Sequence, residues 1–92
     1  MIRDIAIQTV VSGGIGGLHL NLIARPDGVL DVDRSKTVNM ILNSGHYVAV
    51  VSGSAPEGGY IQANLTVGGQ PLIRSPQYTG FSFIDILSFS VP

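Results

Sequence analysis

The amino-acid sequence predicts an all-β protein, an antiparallel two-sheet β-sandwich of seven or eight short strands, either immunoglobulin-like or jelly-roll-like. Apolar and polar residues alternate with a period of two along most of the chain, which is typical of strands that are buried on one side. Breaks that contain Gly or Pro separate these runs at intervals of about 8–12 residues, as in sandwiches and barrels. No segment keeps the ~3.6-residue period of an amphipathic helix.

Three strands are predicted in the first part of the chain. Residues 2–11 form the first, which alternates weakly, with Ile5, Ile7, Thr9 and Val11 on one face, and residues 12–17 form a glycine-rich loop. The second strand has an apolar face made of Leu18, Leu20, Leu22 and Ala24. A turn follows at residues 25–28, because Pro26 presets its φ angle and Gly28 can adopt a positive φ. Residues 29–33 form a short third strand with Leu30 and Val32 pointing inward.

Residues 36–67 are the stretch around which the rest of the chain is expected to be arranged. They contain three apolar-rich runs separated by short breaks with Gly, a pattern typical of an antiparallel meander. The middle run, residues 46–52, has apolar residues on both faces, so it is predicted to be the central strand. The third run, residues 60–67, alternates most cleanly, which predicts one buried face and one polar, solvent-exposed face.

Two further strands are predicted in the C-terminal part. Residues 70–74 are expected at a sheet edge, because Pro71 has no amide proton to donate to a neighbouring strand. Residues 81–91 form the last strand, in which Asp85 shares a face with apolar residues. Burial of an unpaired carboxylate costs several kcal/mol. We therefore expect either a bulge that turns Asp85 outward, or a partner such as an Arg or a backbone N–H group.

Length and composition limit the classes of protein to which the chain can belong. Its 92 residues predict a single domain, residues 1–92. The net charge of −1 gives no reason to expect nucleic acid or anionic lipid as a partner. No apolar run approaches the ~20 residues of a membrane helix, and the N-terminus lacks the apolar core of a signal peptide. We therefore expect a protein made in the cytoplasm, without a membrane partner, and carried in the virion if its source is a virus.

Residues suited to catalysis or metal binding are few and badly spaced for either role. His19 and His46 are the only imidazoles and the chain has no Cys, whereas a catalytic zinc ion needs three protein ligands. The Asp residues at 27, 31 and 33 are too few for the six to eight oxygen ligands of calcium. The glycines at 13–17 have neither the spacing of a dinucleotide-binding loop nor a following helix. We predict no enzyme activity and no catalytic, cofactor-binding or metal-binding residues.

The low charge predicts that part of the surface is buried against other subunits. Charged residues make up 12% of the chain, about half of the ~25% of an average soluble domain. Five isoleucines are predicted on the second faces of their strands and are assigned to an interface: Ile23, Ile41, Ile73, Ile84 and Ile86. We predict a non-enzymatic structural or assembly module that forms a homo-oligomer, a trimer rather than a dimer if it caps a symmetric lattice. A viral protein that decorates a capsid, such as a phage cement protein, fits this description.

An alternative is a lectin-like module that binds carbohydrate or another surface, with a glycan as partner. Sugar rings stack on flat aromatic side chains and form hydrogen bonds with amides. Such groups occur on the predicted polar strand face and in the following loop: Tyr60, Gln62, Asn64, Gln77 and Tyr78. The chain has no Trp, and any solvent-exposed strand face has a similar composition. The sequence leaves both alternatives open.

Overall fold

The computed structural model describes residues 2–92 and contains eight β-strands. In chain order they are β1 (Ile2–Ser12), β2 (Gly17–Leu22), β3 (Val29–Val32), β4 (Lys36–Asn43), β5 (Gly45–Ser54), β6 (Tyr60–Val67), β7 (Gln70–Arg74) and β8 (Phe83–Val91). They form two antiparallel sheets, sheet A with the order β4-β1-β6-β7 and sheet B with the order β3-β2-β5-β8. The sheets pack together, which confirms the predicted all-β sandwich. None of the described residues is in a helix that could cross a membrane.

The period-two alternation places one side of each strand in the core between the sheets. Ile5 and Ile7 of β1, Leu20 of β2 and Leu30 of β3 are buried, whereas their neighbours in sequence are exposed or half-buried. The buried side chains form one continuous cluster. The accessible surface of 5190 Å² is close to the ~5100 Å² expected for a monomeric protein of 9.7 kDa. The chain therefore closes its core without a partner.

The three runs between residues 36 and 67 do not form the predicted meander. β4 and β6 lie in sheet A, on the two sides of β1, whereas β5 lies in sheet B between β2 and β8. The chain changes sheets at Gly45, whose φ of 153° lies in a region that favours glycine. A break in the alternation marks a change of direction, but it does not identify the strand that becomes the neighbour. The prediction that the middle run is an inner strand is confirmed, because β5 pairs on both sides.

The face of β6 that was predicted to be polar and solvent-exposed is partly covered. Gln62 is only 7% exposed. Its Nε2 donates a hydrogen bond to the Ser75 carbonyl oxygen at 2.9 Å, and the Ser75 hydroxyl oxygen accepts one from the Ala63 N–H at 2.8 Å. The prediction of an exposed face is therefore wrong at Gln62, because the segment that follows β7 continues along the edge of β6 and its backbone accepts the hydrogen bond of the Gln62 side chain.

The C-terminal strands lie close to their predicted positions. β7 is at the edge of sheet A, as the proline in it indicated. β8 begins at Phe83, two residues later than predicted, so Phe81 lies in the preceding loop and is exposed. Tyr78 of this loop stacks on Phe83, with the ring centroids 4.6 Å apart. This stacking anchors the loop at the start of β8.

Candidate interaction surface

An apolar patch lies on the outer face of sheet B. Ile84 and Ile86 of β8 are 76% and 65% exposed. Ile86 lies opposite Val50 of β5, and Val50 in turn lies opposite Asn21 of β2, so the exposed side chains continue across the sheet. We call this surface the sheet-B patch, and it consists of Ile23, Val29, Val48, Val50, Ile84 and Ile86. Asn21 separates Val29 from Val50, so the apolar surface is continuous from Ile23 to the two isoleucines of β8. A contiguous exposed apolar patch is typical of an interaction site.

The alternation of β8 explains why its isoleucines are exposed. Leu87 and Phe89 point inward and are buried in the core. Side chains of successive residues point to opposite faces of a strand, so Ile84 and Ile86 must point outward. The same sequence period that builds the core therefore places two large aliphatic side chains in contact with solvent.

The structure brings together three of the five isoleucines that the sequence analysis assigns to an interface, namely Ile23, Ile84 and Ile86. Ile41 is also exposed, at 59%, but lies on β4 in sheet A. Ile73 is half-buried and packs against the core. A register shift in the β6–β7 pair places Ile73 opposite the buried Leu65, and hence on the inner face.

The valines of the patch were not identified from the sequence. Val48 and Val50 are half-buried on the outer face of β5, and Val29 is exposed at the start of β3. In the sequence, Val48 and Val50 form the second apolar face of residues 46–52. Their position beside the isoleucines of β8 depends on the register between strands that are distant in sequence, which one sequence does not supply.

β8 forms one edge of sheet B, and alternate residues in it turn their backbone groups away from β5. The Ile23 N–H donates to the Val48 carbonyl oxygen at 2.9 Å, so even-numbered residues of β5 bond to β2. The N–H and C=O of one residue point to the same side of an antiparallel strand, so odd-numbered residues of β5 bond to β8. The register pairs odd residues with odd residues. The backbone groups that face the open edge therefore belong to Ile84, Ile86, Ser88 and Ser90.

Asp85 lies half-buried on the inner face of β8 and finds two hydrogen-bond donors. One carboxylate oxygen accepts from the Tyr78 hydroxyl at 2.8 Å, and the other accepts from the Ile86 N–H at 2.8 Å. The expected backbone N–H partner is therefore confirmed. The expected bulge is absent from the β5–β8 register. Burial, and then the hydrogen bond to Asp85, raise the pKa of Tyr78 well above its ordinary value.

A second polar contact lies on the outer face of sheet B. His19 Nδ1 and Asp31 Oδ1 are 2.6 Å apart, and both side chains are substantially exposed. Ser52 lies opposite His19 on the other side, so the three residues form one cross-strand row. The described residues show a hydrogen bond between His19 and Asp31 and none between His19 and Ser52. In residues 2–92 no group of three His, Cys, Asp or Glu side chains is arranged to hold a metal ion.

The residues assigned to the lectin-like alternative are only partly accessible. Tyr78 and Gln62 are buried and use their polar atoms in internal hydrogen bonds. Tyr60 and Asn64 are half-buried, and Gln77 is exposed. The most exposed aromatic ring is Phe81, beside a cleft of about 440 Å³ between the two loops that join β5 to β6 and β7 to β8. This ring was predicted to lie in the last strand, but it precedes β8 and was not assigned to a binding surface.

Comparison with known proteins does not assign the chain to a family. No family model matches the sequence, and no match is found among curated proteins or among solved structures. The function is therefore inferred from the burial, contacts and hydrogen bonding of residues 2–92.

Proposed function

We propose that this protein is a non-enzymatic structural module that self-associates through the sheet-B patch. The observation that carries the proposal is the exposure of Ile84 and Ile86 on a sheet face that also presents half-buried valines. The patch contains neither a carboxylate nor a cationic side chain, and the neighbouring Asp31 on the same sheet face is paired with His19 at 2.6 Å. A second copy of the chain is the partner that offers the same apolar surface.

The energy available from the patch suits a reversible complex. Complete burial of an isoleucine contributes roughly 1.5–3 kcal/mol, so the two isoleucines of β8 from each of two copies contribute roughly 6–12 kcal/mol. Association costs about 4–15 kcal/mol in lost translational and rotational freedom. The two ranges overlap, and the remaining valines add to the favourable side. We therefore expect a reversible contact rather than an obligate oligomer.

The wider proposal is that the module decorates a symmetric assembly, such as a viral or phage capsid. A domain that folds alone and presents one apolar face can bind to repeated copies of itself at a symmetry axis of a larger particle. The low charged fraction of 12% supports this proposal, because a surface that is partly covered by other subunits needs fewer charges to stay soluble.

Static light scattering on the purified protein tests the proposal. We expect a mass well above 9.7 kDa at micromolar concentration and moderate salt. Replacement of both Ile84 and Ile86 by Ser should return the mass to the monomer value while the circular dichroism spectrum keeps its β-sheet form. The matched control is Ile41→Ser, which removes an isoleucine of similar exposure, 59%, from the other sheet. Monomeric wild-type protein, or equal loss of association in the control, would contradict the proposal.

A further inference from the structure

We infer that the self-association proposed above, on which this inference rests, joins β8 of one copy to β8 of a second copy in antiparallel orientation. The outer face of sheet B then becomes part of a continuous eight-stranded sheet across the dimer. The inference starts from the open edge of β8, where four residues turn their backbone N–H and C=O groups away from β5. Such a row of groups is a template for one more strand.

One register uses all four of these residues. Around a two-fold axis near Leu87, Ile84 lies opposite Ser90 of the second copy and Ile86 lies opposite its Ser88. Every outward-facing N–H then meets an outward-facing C=O, because hydrogen-bonded pairs in an antiparallel ladder recur at every second residue. A shift by two residues in either direction leaves part of the row unpaired. The two-fold symmetry makes the same strand its own complement.

The side chains on this strand favour the same arrangement. In this register each isoleucine lies opposite a small serine, so the large side chains do not collide across the new ladder. The patch of one copy then continues into the patch of the other. The side chains of Ile84 and Ile86 stay on the outer face and are covered only in part, so the edge hydrogen bonds add to the apolar contact of the proposed function and do not replace it. No charged side chain lies on the outward face of β8.

The other edges of the sandwich are less suited to the addition of a strand. β3 has four residues and carries Asp31, and β7 contains Pro71, which cannot donate a hydrogen bond. β4 is longer, but Ile41 is its only large exposed aliphatic side chain, and Lys36 stands at its start. β8 combines nine residues, a regular register and two exposed isoleucines.

Asp85 competes with the second copy for one of the edge donors. Its carboxylate accepts the hydrogen bond of the Ile86 N–H at 2.8 Å, and this N–H is one that the new ladder would use. An inward-pointing charge next to an edge strand is one way in which proteins restrain edge-to-edge association. Asp85 therefore weakens the contact and keeps it reversible. Asp85→Ala should lower the dissociation constant by up to about tenfold, the equivalent of one hydrogen bond.

The decisive variant is Ser88→Pro. Because the Ser88 N–H faces away from β5, proline there removes no backbone hydrogen bond of the monomer, and prolines are tolerated at such edge positions. The substitution also removes the hydroxyl that lies 2.7 Å from His46 Nε2. Ser88→Ala removes the same hydroxyl but keeps the N–H, so it is the matched control. We expect a folded monomer for Ser88→Pro and wild-type association for Ser88→Ala.

The measured masses separate failure of this inference from failure of the proposed function. A monomeric wild-type protein overturns both. Wild-type protein that associates, together with a Ser88→Pro variant that associates equally well, leaves self-association intact and overturns edge pairing. A trimer of about 29 kDa, three times 9.7 kDa, also overturns the two-fold contact. If Ser88→Pro does not fold, Ser90→Pro provides the same test at the next outward-facing N–H.

Discussion

The hydrogen bond between Tyr78 and Asp85 should be a costly polar contact to remove from this protein. Asp85→Ala leaves the Tyr78 hydroxyl without this acceptor, in a residue that is only 8% exposed. A buried polar group that loses its partner costs about 1–3 kcal/mol. The Ile86 N–H faces the open edge of the sheet, so water can replace the carboxylate there at little cost. We expect Asp85→Ala to lower the free energy of unfolding by about 1–2 kcal/mol.

A double-mutant cycle isolates this contact. Tyr78→Phe deletes the hydroxyl and keeps the ring that stacks on Phe83, so it should cost about 1 kcal/mol. If the hydroxyl and the carboxylate interact, the loss of stability in the double mutant should be about 1 kcal/mol smaller than the sum of the two single losses. Urea denaturation followed by circular dichroism measures all four proteins. The experiment is repeated at two protein concentrations, because association adds to the apparent stability.

The control for this cycle is an aspartate that is exposed. Asp33 contacts Arg34 at 3.1 Å, but both side chains are largely in solvent, and such pairs contribute little. Asp33→Ala should therefore leave the free energy of unfolding almost unchanged. An equally small change for Asp85→Ala would refute the buried pairing of Asp85 with Tyr78. Strictly additive effects of Asp85→Ala and Tyr78→Phe would refute it as well.

Three further predictions concern the core, a loop and the pH dependence. Thr9 is almost fully buried and its hydroxyl has no hydrogen-bond partner in the described residues, so Thr9→Val should raise the free energy of unfolding by about 1 kcal/mol in urea denaturation. A Cβ atom at Gly59 would lie 1.9 Å from the Ser12 carbonyl oxygen, whereas Gly58 has open space and a φ of 72°. Gly59→Ala should therefore cost about 3 kcal/mol and Gly58→Ala about 1 kcal/mol, measured as shifts in the thermal midpoint. Because the pKa of Tyr78 is raised in the folded protein, the unfolded chain loses that proton first above about pH 10, and stability should fall there by up to about 1.4 kcal/mol per pH unit. Tyr78→Phe should flatten this decline, and an unchanged slope would show that other groups cause it.

The sequence predicted the fold class and the buried faces because both depend on a local period. Ile5, Ile7 and Leu20 could be assigned to the core from alternation alone, and the structure buries all three. The pairing of strands could not be obtained in this way. The contacts of β4 and β6 with β1 join residues that are far apart in the chain, so nothing within the meander-like stretch indicated them.

For the candidate surface, too, the sequence predicted which way the side chains point, because that depends on a local period, and did not predict which strands lie side by side. Leu87 and Phe89 set the phase of the last strand, so the outward direction of Ile84 and Ile86 followed from the sequence. Alternation alone predicted that Ile73 points outward as well. The register shift in the β6–β7 pair instead places it opposite the buried Leu65, so it points inward. A bulge of one residue reverses the faces of a strand, and bulges have no reliable signal in a single sequence.

The position of β8 at an edge makes folding and association separable in this protein. Its odd-numbered residues point inward and bond to β5, so substitutions at Leu87 or Phe89 must affect the core. Its even-numbered residues carry both the exposed isoleucines and the backbone groups that face the open edge. A change there alters what a second copy meets and leaves the contacts of the monomer almost untouched. If the strand mediates association as proposed, variants at even positions should lose association but keep their stability, whereas variants at Leu87 or Phe89 should lose both.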